Sequence, residues 1–142
     1  MKHIALVALL VALVGVACSS SEEMAVEEPW GRPSPMNAGN AAFYMDITGG
    51  AEDDTLVAAA TDACGVVELH ESSMSDDGVM SMQHLPQGIP IPAGETVVLE
   101  PAGLHVMCMM VTEPLETGSM VDLTLEFATG DSMEVEVEIR EG

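Results

Sequence analysis

The chain has 142 residues, 48% of them hydrophobic, which is room for one domain with a single buried core. Three Lys and Arg stand against 24 Asp and Glu, and the resulting formal charge of −21 repels phosphate backbones and anionic membrane surfaces. This argues against nucleic acid as a partner, while cations are attracted.

The N-terminus, MKHIALVALLVALVGVAC, joins a short basic start to an apolar run of about fourteen residues, too short for an ordinary spanning helix. Residues 1–17 are predicted to be a secretory signal peptide. Cys18 then leads into SSSEE, so the segment looks like a bacterial lipoprotein signal, with Cys18 acylated and 18–29 a flexible tether. The alternative is ordinary cleavage to a free soluble protein. Either way the domain is expected to work outside the cytoplasm, in the periplasm or at the outer face of the cytoplasmic membrane, where disulfides are permitted.

Residues 19–40 are rich in Ser, Glu, Pro and Gly and lack periodicity. They predict a tether passing into an irregular edge segment, with the domain, 30–142, beginning near Trp30. Short apolar, β-branched or alternating runs follow at 41–48, 55–60, 64–71, 79–84, 95–100, 104–111, 120–127 and 132–140. Turn signals such as Gly49-Gly50, Asp76-Asp77-Gly78 and Pro101-Ala102-Gly103 separate them. About eight short strands at this spacing predict an all-β fold, an antiparallel sandwich or barrel. In the last run Met133, Val135, Val137 and Ile139 alternate with Glu134, Glu136 and Glu138, as in a strand with one acidic, wet face.

Cys64 and Cys108 are expected to be buried thiols. A straight strand from Cys64 to His70 spans about 20 Å, and if His70 and Met107 share one ion, the cysteine beside Met107 is out of disulfide reach of Cys64.

The stretch from His70 to Met110 carries the chemistry, with three of the four histidines and six of the twelve methionines. Imidazole nitrogen and thioether sulfur form a donor set suited to soft, closed-shell Cu(I), whereas magnesium and calcium take oxygen. Alternation puts His105, Met107 and Met109 on one face of their strand, with Val106, Cys108 and Met110 on the other. Met80, Met82 and His84 likewise share a face. A single strand methionine is more often core filler, but two such His and Met alternations in one short chain point to metal.

These residues resemble the PCu(A)C family of periplasmic copper chaperones. His70, then Met82 after eleven intervening residues, then His105-Val106-Met107 follow its signature. Trp30-Gly31-Arg32, Asn40-Ala41-Ala42-Phe43-Tyr44, IPIPAGETVVLEPAG and HVMCMM extend the likeness over about 30–140. The resemblance implies a cupredoxin-like β-fold, and an enzyme is not expected because the sequence offers no nucleophile-base arrangement or metal site with a hydrolytic carboxylate. It implies one Cu(I) per chain held by His70, Met82, His105 and Met107. The recipient it implies is the CuA centre of cytochrome c oxidase or another assembly chaperone. Met80 and His84 remain alternatives to Met82, and Met109 or Met74 a weaker contact. Three other readings remain: a blue-copper carrier, disfavoured because no histidine follows Cys108; copper storage or resistance; and a structural lipoprotein without metal.

Overall fold

The computed structural model describes residues 23–141, so the predicted signal peptide 1–17 and Cys18 lie outside the described residues. Ten strands run in chain order: β1 (Ala25–Pro33), β2 (Asn40–Thr48), β3 (Asp54–Ala60), β4 (Cys64–Met74), β5 (Met80–His84), β6 (Ile89–Ile91), β7 (Thr96–Leu99), β8 (Leu104–Val111), β9 (Met120–Phe127) and β10 (Ser132–Ile139). They form one sheet in the order β5-β4-β8-β2-β1-β10-β9-β3-β6, and β7 pairs with the second half of β2 while β8 pairs with the first. The sheet curls until β3, near one end, packs against β4, near the other. The result is an all-β, cupredoxin-like sandwich. Every strand pair is antiparallel except β1 with β10.

Period-2 patterning explains the core. Phe43, Met45 and Ile47 of β2, Leu123 and Leu125 of β9, and Val137 and Ile139 of β10 point inward and are fully buried. The glutamates of β10 face solvent, as the alternation predicts.

Two strands were not legible. β1 occupies the middle of the sheet, and its first residues, 25–29, fall in the expected tether. A bulge hides it: Glu28 has φ 48° and the register to β2 shifts between Glu27 and Trp30, so the alternation breaks. In β6, Pro90 interrupts two buried isoleucines. The strand pairs only with β3 at the sheet edge, where the missing N–H of proline costs nothing.

The expectation of free thiols is overturned, because Cys64 and Cys108 form a disulfide with Cα atoms 5.5 Å apart. The expected strand is present, and so is the neighbouring His70–His105 pair. What fails is straightness. By register Cys64 lies opposite Val111, three residues beyond Cys108, or about 10 Å away on a flat ladder. Met110 takes φ 56°, and it crowds Gly65, where an added Cβ would stand 3.0 Å from that of Met110. The strand pair bends there and closes the distance. The same bend turns Met110, expected beside Val106 and Cys108, out to solvent.

The disulfide closes a loop with a sequence separation of 44. Loop-closure entropy then predicts a loss of about 2–4 kcal/mol in the Cys64→Ser/Cys108→Ser double variant. Urea denaturation checks this, and unchanged stability would contradict it.

Candidate metal centre

The pairing of β4 with β8 sorts side chains into two sets. Val67 opposite Cys108 and Leu69 opposite Val106 face the core, whereas Glu68 opposite Met107 and His70 opposite His105 share the other face. β5 extends that face outward, with His84 opposite His70 and Met82 opposite Ser72. His70, Met82, His105 and Met107, the four residues singled out in the sequence, therefore lie on one surface of three adjacent strands.

The imidazoles of His70 and His105 are 5.8 Å apart between ring centroids and meet edge to face. Beside them opens a pocket of about 300 Å³, lined by Met82, His105, Met107, Met80, Met36 and Tyr44 among others. His70, which does not line the pocket itself, adjoins His105 and is buried. Of the secondary candidates, Met80 lines the pocket. His84 lies 5.6 Å from His70 by ring centroids but lines a different pocket, with Glu68 and Leu85. Met109 pairs with Asn40 towards the far end of β8 and does not line the pocket. Among the described residues no group of three or more His, Cys, Asp or Glu side chains is placed to hold a metal ion.

Each imidazole is oriented by an acceptor that cannot donate. Gly103 O accepts from His105 Nδ1 at 3.0 Å, which leaves the neutral ring with a bare Nε2. The Glu68 carboxylate Oε2 lies 2.8 Å from His70 Nε2, so that nitrogen carries the proton and Nδ1 is bare. His70 Nδ1 is buried and has no hydrogen-bond partner, which is costly for a nitrogen lone pair unless something else occupies it. Burial pushes the pKa of His105 below its ordinary value, against the opposing Gly103 hydrogen bond. The hydrogen bond from His70 holds the Glu68 carboxyl below the usual range.

An aromatic wall supports the site from β1 and β2. Tyr44 lies 6.2 Å from His105 and 4.6 Å from Trp30 between ring centroids, and Arg140 covers the Trp30 ring at 5.5 Å. Glu68, Tyr44 and Met36 were not singled out as site residues. Glu68 had a signal, since it precedes His70 by two positions and a strand puts such residues on one face.

The fold is that of the PCuAC domains. The copper-bound PCuAC domain from PmoF2 aligns over 84% of this chain and 93% of its own length, with TM-score 0.68 and 18% identity. The apo PCuAC domain from PmoF1 gives 0.67 over 84% and 94%, at 24% identity. The solution structure of Cu(I)-DR1885 from Deinococcus radiodurans gives 0.63 over 89% and 83%, at 26% identity. In sequence, the protein of Leifsonia xyli subsp. xyli (strain CTCB07) named "Putative lipoprotein Lxx21020" is 33% identical over 105 residues, 73% of this chain. The match spans 63% of that relative's length. Residues 24–139 match the family described as "Putative lipoprotein LpqE-like", and the chain belongs to that family.

The two histidines should hold opposite tautomers. Long-range ¹H–¹⁵N spectra of the apo protein at neutral pH are expected to show His105 protonated at Nδ1 and His70 at Nε2, with the His70 preference weakened in Glu68→Gln. The same tautomer in both rings would contradict this geometry.

Proposed function

We propose that this domain is an extracytoplasmic copper chaperone that binds one Cu(I) through His70, Met82, His105 and Met107 and passes it on. The recipient in this reading is the CuA centre of cytochrome c oxidase or another assembly chaperone, and the domain is tethered to the membrane by a lipid on Cys18. One observation carries it: two adjacent imidazoles, each pinned by a protein acceptor, leave one bare nitrogen apiece, that of His70 buried and unpartnered, beside methionine thioethers. Neutral nitrogen and sulfur donors without a thiolate suit Cu(I) and bind it without the grip of cysteine. The pairing of Cys64 with Cys108 supports this, because it takes both mature thiols out of the donor set.

Transfer requires that one ligand be reachable. Met82 is 52% exposed, while His105 is 3% exposed. An acceptor's sulfur or nitrogen can replace Met82 first and reach the buried imidazoles afterwards. The Cu(I) bound by DR1885, 26% identical to this chain, is consistent with this cargo.

Cu(I) titration against a competing chelator tests the ligands. His70→Ala and His105→Ala should each lower affinity by more than about 100-fold, beyond the 10–100-fold usual for an outer partner of a ligand. Met82→Ala should cost less than Met107→Ala. Wild-type affinity in His105→Ala would refute the assignment, and transfer to an apo CuA domain in vitro separates delivery from storage.

Protonation competes with copper for the bare nitrogens, so affinity is expected to fall as pH drops and the imidazoles take up protons. His105, its pKa depressed by burial, should keep its lone pair further into acid than an exposed histidine. Equal affinity at pH 5 and pH 7.5 would contradict imidazole ligation.

A further inference from the structure

β5 has a peculiarity that the four-ligand site does not explain. None of its five residues is buried, so it adds nothing to the core and is held by its pairing to β4 and a Ser73–Ser81 hydroxyl bond of 3.0 Å. Yet it carries two large apolar side chains, Met80 at 55% and Met82 at 52% exposure. In the turn between β1 and β2, Met36 is 96% exposed. Apolar side chains left in water gain nothing from burial, and methionine's role as a filler of core gaps does not apply to them.

Chemistry gives them a common use. Met36, Met80 and Met82 line the same 300 Å³ pocket as Met107 and His105. Met80 and Met82 point from one face of the strand, two steps or about 7 Å apart along it, within the combined reach of two flexible thioether side chains. Met36 reaches the same pocket from the turn between β1 and β2. The exposed part of the lining thus carries sulfur alone, and the buried part carries nitrogen.

We propose that Met36 and Met80, together with Met82, form an outer all-thioether station for a soft monovalent ion. Cu(I) would be captured there before it moves inward to His70, His105 and Met107, with Met82 shared by both positions. This rests on the inner-site reading for the direction of movement, but the outer station binds through its own sulfurs. Passage is ligand exchange at constant oxidation state: Met36 and Met80 sulfurs leave as imidazole nitrogens arrive, and no electron or proton is transferred by the sulfurs. Three neutral thioethers make a weaker site than one that includes imidazole, as an entry position requires.

Methyl-¹³C methionine NMR during titration with Ag(I), a redox-stable closed-shell stand-in for Cu(I), tests this in the folded domain. The first equivalent should move the methyl signals of Met82 and Met107. A second, weaker equivalent should move those of Met36 and Met80, and Met36→Leu/Met80→Leu should lose that second response and keep the first. In His70→Ala/His105→Ala the Met36, Met80 and Met82 signals should still respond, so loss of the inner site and absence of the outer one are separable. Stationary Met36 and Met80 signals through two equivalents of Ag(I) would overturn the proposal. So would an unchanged second response of the remaining methionines in Met36→Leu/Met80→Leu.

Discussion

The antiparallel pairing of β4 with β8 is the constraint from which the site follows. Because side chains alternate, one register serves two purposes: it packs Val67 and Leu69 with Cys108 and Val106 into the core, and it sets His70 against His105 on the opposite face. A slip by one residue would exchange the two sets of side chains between the faces, so the hydrophobic free energy that fixes the core also fixes the site. The disulfide fastens one end of the pair, and a hydrogen bond from Ser72 N to Gly103 O ties the other. β5, by contrast, rests on β4 alone. The inner donors stand on the best-packed part of the sheet, and the outer one on the least.

Charge is handled in the same economical manner. The chain carries −21, yet among the described residues one carboxylate, Glu68, hydrogen-bonds to the imidazole pair, and it does so through His70. The scarce arginines Arg32 and Arg140 lie over Tyr44 and Trp30, bracing the aromatic wall behind His105. A pocket with no carboxylate in its lining, whose candidate donors are imidazole nitrogen and thioether sulfur, offers little to hard cations that the acidic surface also attracts, and selectivity falls to donor softness. Burial helps here, since a histidine kept neutral by desolvation is a histidine kept ready to bind.

Much of this was readable from residue order. Eight of the ten strands were marked by β-branched or alternating runs, and alternation alone put His105 with Met107 and Met82 with Met80 on shared faces. The remainder failed for identifiable reasons. β1 was masked by the bulge at Glu28 and by Pro29, and β6 by Pro90, because a proline argues against a strand until its edge position is known. The Cys64–Cys108 bond was missed because a straight strand was assumed through Gly65 and Met110, whose positive φ bends the pair. Sequence gives period but not curvature. Met36 could not be placed, since nothing in the order of residues says that the β1–β2 turn folds over the face carrying Met82.

The central claim is that a mixed nitrogen and thioether environment, positioned by β4 and β8, holds a single Cu(I). X-ray absorption at the copper edge of the loaded protein measures this most directly. The account predicts a copper(I) edge with both nitrogen and sulfur scatterers, the nitrogen lost in His70→Ala/His105→Ala at one equivalent of metal. A first shell of oxygen and nitrogen without sulfur, or of sulfur alone at one equivalent, would contradict it.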